Sequence, residues 1–355
     1  LSMMTILTVI SGMAVAQSDG GYTVPRTEYG QPDLQGVWNF SSSTPMERAE
    51  RYGEQEFLTP EQIEEAIARQ AGMEAAADAI EAEMVLNPEA PPAGTDPGGY
   101  NSFWIEMGNR GDNVRTSHVV YPLGGRAPQA VEGNPVIAGG LGPDITGQRP
   151  VRFIVGGITK DGPEDRGLSE RCLVGFNAGP PFSPSLYNNN LQLFQSKDTF
   201  VIMTEMIHDA RIIPTDGRPH LPGDIRQWLG SSRGYWEGNT LVVETGNFTD
   251  KTPGYHLPVQ LVQASANGVV GSGKNLHLIE RFTLTGDGQL RYEATVDEPS
   301  FKQSFTQRVI MQASHDKIFE YACHEGNYAM GGILRGARLR ERQNMSISQE
   351  TASRP

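Results

Sequence analysis

The sequence feature that most constrains the fold is a succession of short strand-like segments between residues 191 and 323. These segments are rich in Val, Ile, Thr, Phe and Tyr, and turn residues separate them. The turns at residues 236–240 and 285–289 carry the Gly with Asn or Asp that a β-hairpin favours. Helices do not alternate with these strands, which argues against a parallel doubly wound sheet. The sequence therefore predicts a mainly β fold, an antiparallel meander with a barrel-like, lipocalin-like body.

The composition agrees with a turn-rich chain and limits its partners. Among 355 residues, 41 Gly and 24 Pro make up about 18% of the chain, above the usual fraction of about 12%. The formal net charge is −13. That charge argues against nucleic-acid binding, which needs a basic surface facing the phosphates, and against electrostatic docking on an anionic membrane. We therefore expect a small-molecule ligand or substrate and no nucleic-acid partner.

The N-terminal residues resemble an export signal. Residues 3–16 form an apolar run that ends in Ala14, Val15 and Ala16, a small-x-small cleavage pattern. The run contains no basic residue, so a buried first helix remains the alternative. We predict a signal peptide at residues 1–16 and a periplasmic or secreted location. Later apolar runs are shorter than the about 18 residues that span a bilayer, so we expect no stable membrane insertion after cleavage.

The rest of the chain is expected to divide at about residue 110. Residues 17–110 would form an N-terminal extension, and residues 111–345 the barrel-like domain. Within the extension, residues 46–86 are predicted to be helical and to pack outside the β body. Thr59, Pro60 and Gln62 form a helix start, with a Thr N-cap, Pro at the first helical position and a Gln that closes a capping box.

The chain contains two cysteines, Cys172 and Cys323. In an exported protein they would most simply form one disulfide that closes a loop of roughly 150 residues. Two reduced, buried thiols are the main alternative. A nucleophilic Cys323 beside His324 is a weaker one, because neighbouring residues on a strand point to opposite faces.

The sequence contains no standard catalytic signature such as GxSxG, HExxH or a P-loop, so candidate residues come from their positions. The densest polar cluster contains Glu205, His208, Asp209, Arg211, Arg218 and His220. Strand alternation predicts Asp209 and Arg211 on one face, and His208 with Ile212 on the opposite, apolar face. His208 is a candidate acid–base group or, with His220, a candidate ligand of a divalent metal ion. A hydrogen-bonded core histidine is the alternative.

Glu280 interrupts an apolar strand register. A carboxylate on such a face must be paired or have a raised pKa, and both conditions are common at functional sites. The alternative is a structural ion pair with an arginine such as Arg281 or Arg335. His324 and Glu325 follow a strand predicted at 317–323, where they would line the mouth of a barrel.

Several distinctive strings are spread over the chain. They are HDARIIP at 208–214, DGRPH at 216–220, IRQWLG at 225–230, WEG at 236–238, NFTDKT at 247–252 and YACHEGN at 321–327. In these strings the sequence resembles a family of exported bacterial proteins of unknown function. The resemblance covers most of residues 30–340. It implies export, and it carries over no catalytic role.

These observations lead to one main hypothesis, an exported hydrolase or lyase that processes a small polar or aromatic molecule by His/carboxylate chemistry. The candidate catalytic residues are His208, Asp209, Glu280, His324 and Glu325. The candidate substrate-binding residues are Arg211, Arg218, Trp228 and Trp236. The alternatives are a non-catalytic lipocalin-like carrier and a structural or interaction module. The positions of His208, His220, Glu280 and His324 distinguish these hypotheses. Convergence within about 8 Å on an open pocket would favour the enzyme, because catalysis needs the groups within reach of the substrate, and dispersal would favour the alternatives.

Overall fold

The computed structural model describes residues 22–86, 106, 108, 114–129, 131–132, 137–138, 159–250, 253–256 and 268–352. The predicted signal peptide at residues 1–16 lies outside these ranges. None of the helices in the described ranges is both long and apolar enough to cross a membrane.

Strands dominate the described chain, and two long helices accompany them. The strands are β1 (Gly36–Asn39), β2 (Val119–Tyr121), β3 (Ile137–Ala138), β4 (Asn190–Gln195), β5 (Thr199–Thr204), β6 (Ala210–Pro214), β7 (Ser231–Glu237), β8 (Thr240–Gly246), β9 (Pro253–His256), β10 (Gly268–Ser272), β11 (His277–Gly286), β12 (Gln289–Asp297) and β13 (Phe305–Ser314). The helices are α1 (Pro60–Leu86) and α2 (Tyr328–Ala352).

Ten of the strands form one antiparallel sheet, which confirms the prediction of a mainly β, antiparallel fold. The order is β6-β5-β4-β1-β13-β12-β11-β8-β7, and β2 pairs with β13. A separate sheet has the order β3-β10-β9. Strand β1 falls within the predicted N-terminal extension, yet it pairs with both β4 and β13. The main sheet is therefore not confined to residues 111–345.

Both predicted hairpins are present. Glu237 pairs with Thr240 between β7 and β8, and Gly286 pairs with Gln289 between β11 and β12. The turn residues Gly238 and Gly288 have φ of 59° and 67°. This left-handed conformation is favourable for glycine, because a Cβ atom would crowd the backbone there. The local turn chemistry thus sets the register of these strand pairs.

The predicted closure into a barrel is wrong for the strands that the structure describes. The end strands β6 and β7 exchange no backbone hydrogen bonds, and the sheet stays open between them. Eight antiparallel pairings join the nine strands of this order, so the first and the last strand point in the same direction. Closure would therefore need one parallel pair, between β6 and β7, in an otherwise antiparallel sheet. The hydrogen bonds of a parallel pair are slanted and spaced differently from those of an antiparallel pair.

Side chains nevertheless bring the two end strands close together. A Cβ atom added to Gly234 of β7 would lie 2.9 Å from Cγ2 of Thr215, just after β6. The Arg211 guanidinium of β6 donates a hydrogen bond of 3.2 Å to Oγ of Ser232 in β7. Packing and side-chain hydrogen bonds take the place of a backbone ladder between these strands.

Aromatic side chains fill the interior of the curved sheet. The ring centroid of Tyr292 lies 5.1 Å from that of Phe282 and 5.2 Å from that of Phe182. Phe182 also contacts Phe40, at 5.5 Å, and Phe282 contacts Phe200, at 6.2 Å. Alternate residues of β11, β12 and β13 point into this core, as expected for a sheet with one buried face.

Helix α1 begins where the sequence predicts a helix start. The Gln62 amide donates to Oγ1 of Thr59 at 3.3 Å, and the Thr59 amide donates to Oε1 of Gln62 at 2.9 Å, which completes a capping box. Residues 46–59 of the predicted helical segment contain only a 3-10 turn, Glu50–Tyr52. Helix α2 lies mostly within residues 111–345, where the sequence predicts only the barrel-like domain, and its three glycines lower helix propensity.

A disulfide joins Cys172 to Cys323, with their Cα atoms 5.7 Å apart, as the sequence predicts. Close by, Nδ2 of Asn327 donates to the carbonyl oxygen of Glu170 at 2.7 Å. These contacts fasten the segment before α2 to the loop that precedes β4.

Replacing both cysteines with alanine should lower the free energy of unfolding by about 4 to 5 kcal/mol, because the cross-link restricts a long loop in the unfolded chain. Urea unfolding monitored by circular dichroism measures the change. Reducing the wild type should give the same loss, and reductant should not affect the double variant. An unchanged unfolding midpoint in the variant would contradict the prediction.

A second prediction concerns His118, which is buried next to β2 with Nδ1 2.8 Å from the carbonyl oxygen of Arg308. Burial lowers the pKa of His118 from 6.5 to about 4. The unfolded chain takes up this proton first as the pH falls. Stability should therefore drop by about 3 kcal/mol between pH 6.5 and pH 4 and level off below that range.

The measurement is the urea midpoint of the wild type and of His118→Gln across this pH range. The variant removes the titrating group, so its stability should depend less steeply on pH. Equal slopes for the two proteins would contradict the assignment.

Candidate functional site

The structure brings two predicted site residues together in the interior. Nη1 of Arg211 lies 3.1 Å from Oε1 of Glu280, and Nη2 lies 2.5 Å from Oε2. Both side chains are buried. The partner of Glu280 is therefore Arg211 and not Arg281 or Arg335. Arg281 instead pairs with Glu237, at 2.7 Å on a more exposed part of the sheet.

Three further polar side chains complete this buried network. Nη2 of Arg211 also donates to the hydroxyls of Ser232 and Thr245, at 3.2 and 3.3 Å. The Tyr292 hydroxyl donates to Oε1 of Glu280 at 2.9 Å. Burial raises the pKa of Tyr292 well above its usual value, and the Glu280 charge adds to the effect. The tyrosine is therefore a protonated donor to the carboxylate.

The network continues into the loop before β4. The Tyr292 hydroxyl accepts a hydrogen bond of 3.1 Å from the amide of Phe182, and Nε2 of Gln307 donates to the carbonyl of Phe182 at 2.7 Å. Sequence reasoning did not single out Tyr292 or Gln307. Both residues could have been found by the criterion that identified Glu280, which is a polar side chain at an inward position of a strand.

The predicted apolar face with His208 and Ile212 on it is wrong, because both side chains are exposed. Arg211 points inward and is buried, whereas Ile212 is 69% exposed and points outward. The prediction assumed one continuous strand over residues 199–207. Instead β5 ends at Thr204, and a turn with Ile207 and His208 at φ of 62° and 48° precedes β6. This turn resets the alternation before Arg211.

The turn packs on a second apolar cluster, separate from the main core. Its members are Phe176, Ala178, Met206 and Ile207, with Tyr187, Tyr321 and Cys323 packed against them. The cluster joins the turn before β6, the loop before β4 and the segment before α2. The rings of Phe176 and Tyr187 meet edge to face, with centroids 5.5 Å apart.

Partly buried hydrogen bonds hold the three segments at the second apolar cluster. Glu205 is buried, and its Oε2 accepts a hydrogen bond of 2.8 Å from Nδ2 of Asn190. Its Oε1 accepts from the amide of Phe319 at 3.3 Å. On the other side, Nδ2 of Asn177 donates to the carbonyl oxygens of Tyr187 and Asn188, at 3.2 and 2.9 Å. The backbone at the cluster is thus fixed from several directions.

Backbone strain is concentrated at the same place. In the described chain, five residues other than glycine have positive φ, and four of them adjoin the second apolar cluster. These four are Cys172, Asn188, Ile207 and His208, with φ of 58°, 55°, 62° and 48°. A β-branched residue such as Ile207 is a rare outlier in this region. Such strain persists only where the surroundings enforce it, and it is frequent at functional sites.

Two groups of predicted catalytic residues lie on segments that meet at this cluster. His208 and Asp209 belong to the turn before β6, and His324 and Glu325 directly follow Cys323. His208, His324 and Glu325 are exposed, and Asp209 is half-buried. The strand predicted at 317–323 is absent from this described segment, so His324 does not extend from the end of a strand.

The other predicted site residues lie elsewhere. Arg218 is exposed and binds Asp216, and this contact lowers the pKa of the Asp216 carboxyl to about 2. His220 is exposed, with Nδ1 3.1 Å from the carbonyl oxygen of Ser231. Trp236 packs against the main core, and Trp228 is half-buried. None of these side chains belongs to the second apolar cluster.

The predicted metal site gains no support from the geometry. Within the described ranges, no group of three or more His, Cys, Asp or Glu side chains could hold a metal ion. His208 and His220 lie in different turns, one before and one after β6. Those ranges supply no third ligand of these types for the two histidines.

The buried pair can be tested by a double-mutant cycle. Arg211→Met and Glu280→Met should each lower the free energy of unfolding by about 3 to 5 kcal/mol, because each leaves an unpaired buried charge. The double variant should lose less than the sum of the two, since neither charge remains. Urea denaturation measures all four proteins. Additive losses would contradict a direct interaction.

Comparisons with known proteins assign no family to the chain. A search against models of protein families finds no match, and a search of the curated proteins finds none either. The functional assignment therefore rests on the geometry of the described residues.

Proposed function

We propose that the chain is an exported enzyme that processes a small polar or aromatic molecule at the second apolar cluster. The observation that carries the proposal is the concentration of four left-handed residues where the two His/carboxylate segments meet. The Cys172–Cys323 disulfide supports export, because disulfides persist in oxidising compartments. The proposed export also agrees with the resemblance to a family of exported bacterial proteins.

The proposed chemistry is acid–base catalysis by two exposed imidazoles. Histidine is the side chain that enzymes use most often for proton transfer. A hydrolase or lyase needs one group that accepts a proton and one that donates it, and His208 and His324 fill these roles. Asp209 and Glu325 each follow one of the histidines in the chain and add a carboxyl group to the same short segment. The rings of Tyr187 and Tyr321 offer an apolar surface to an aromatic substrate.

In this proposal Arg211 and Glu280 position the site and do not touch substrate. The ion pair orients β6, the strand that directly follows the His208 turn. Because Glu280 is fully buried, the exposed histidines are the better candidates for contact with a substrate. The substrate-binding role predicted for Arg211 passes to the aromatic side chains of the cluster.

The alternative of a lipocalin-like carrier fits the structure less well. Such a carrier holds its ligand inside a closed barrel, whereas the described sheet is open and aromatic rings fill its interior. The third alternative is a structural or interaction module whose contact surfaces are the long Pro/Gly-rich loops, and it requires no titratable side chains at the second apolar cluster.

The first test measures binding. Side-chain NMR spectra of the histidines are recorded while a panel of small aryl esters, amides and aromatic acids is added. A compound that binds at the cluster should shift the resonances of His208 and His324 together. The exposed histidines His277 and His315 are matched controls and should not respond.

The second test measures turnover of any compound that binds. His208→Ala and His324→Ala should each reduce kcat by about 100-fold or more, the usual contribution of an acid–base group. His277→Ala and His315→Ala should keep wild-type rates. Wild-type rates in both site variants, or a panel in which no compound shifts His208, would overturn the proposal.

A further inference from the structure

Helix α1 is exposed along most of its length. Ala66 is its one buried residue among those described, and residues 71–80 are exposed apart from half-buried Ala77. The apolar side chains of Ile67, Met73 and Ile80 are 42% to 46% exposed. A helix of this kind gains little from packing on its own chain, and most helices in proteins depend on packing for their stability. The helix therefore presents a surface that a partner would bury.

The sequence of α1 has the spacing of a helix that pairs with another helix. Alternating steps of three and four residues connect Ile63, Ala66, Gln70, Met73, Ala77, Ile80 and Met84. Such a 3-4 repeat places the members of this series from Ile63 to Ile80 along one stripe. Its first half is buried or half-buried within the chain, so the stripe is exposed in its second half, at Met73 and Ile80. Charged residues surround the stripe, and α1 contains seven acidic residues and one arginine. The expected partner is therefore a basic helix with exposed apolar side chains.

Helix α2 of the same chain has these properties. It contains four arginines and two glutamates, in a protein with a net charge of −13. Arg335, Arg340 and Arg342 are exposed. Leu339 and Met345 are 51% and 59% exposed. With 25 residues against 27 in α1, the two helices match in length, at about 40 Å each.

We infer that the protein forms a two-fold dimer in which α1 of one copy packs on α2 of the other. Pairing α1 with α1 would bring acidic side chains together, whereas α1 with α2 joins opposite charges. A two-fold axis repeats the contact, so both helices of both copies are covered and the assembly closes. This surface is distinct from the second apolar cluster, and the inference does not depend on the proposed enzymatic function.

The mass of the full chain in solution is the first measurement. Analytical ultracentrifugation at low ionic strength should give twice the chain mass. Added salt should weaken the dimer, because salt screens exposed charges. A wild-type chain that remains monomeric at low salt would overturn the inference, whatever the variants below do.

Charge reversal then identifies the helices. The first variant changes Glu64, Glu65, Glu74 and Glu83 of α1 to Lys. The second changes Arg335, Arg340 and Arg342 of α2 to Glu. Each variant alone places like charges across both contacts, and its dimer dissociation constant should rise by about tenfold or more. Circular dichroism verifies that each variant keeps its helices.

Mixing the two variants gives the decisive result. In the mixed pair both contacts again join opposite charges, so a dimer should form between the two variants although neither forms one alone. A single chain that carries both sets of substitutions should also dimerise. Failure of both arms would overturn the inference, and so would a dimer that tolerates each variant unchanged.

A matched control changes four acidic residues outside the helices. Glu28, Asp198, Asp287 and Glu320 are exposed, and changing them to Lys alters the net charge as much as the α1 variant does. This control should dimerise like the wild type. Loss of the dimer in the control would show that net charge and not the α1 surface governs association.

Discussion

The ion pair between Arg211 and Glu280 is the interaction on which the curved sheet depends. It connects β6, an end strand, to β11 near the opposite end, across an interior filled with aromatic rings. Ser232, Thr245 and Tyr292 add hydrogen bonds from three further strands. Since β6 and β7 share no backbone ladder, these side-chain contacts keep the ends of the sheet together. Two charges in an aromatic core are tolerated only because they satisfy each other.

This pair also determines the geometry of the candidate site. Arg211 must point inward, and Ile213 beside it follows the same alternation. Even-numbered residues point inward in β5 and odd-numbered residues in β6, so the preceding turn, with the left-handed residues Ile207 and His208, shifts the alternation while the two strands stay in regular register. As a result Ile207 enters the second apolar cluster, while the His208 side chain faces solvent. The buried contact between Arg211 and Glu280 is thus linked to the exposure of the His208 imidazole just before the end strand β6.

The net charge of −13 is unevenly distributed. Helix α1 carries seven acidic residues, α2 carries four arginines, and the interior pair is neutral overall. Much of the negative charge therefore lies on one exposed helix. The candidate site is different, because each of its two segments pairs one histidine with one acidic residue. The surface charges of α1 and α2 favour the inferred association of two copies, whereas the buried charges of Arg211 and Glu280 fix the orientation of their strands.

The sequence by itself determined the features that depend on neighbouring residues. Hairpin glycines, the Thr59 capping box, the antiparallel strands and the pairing of two cysteines follow from local patterns or simple counting. Only the tertiary structure decided which arginine meets Glu280, because the partner lies 69 residues away in the chain. It also decided that the sheet stays open, since this depends on the order of all the strands. The tertiary structure also decided the conformation of Ile207 and His208, because packing around the turn imposes backbone angles that these residues disfavour on their own.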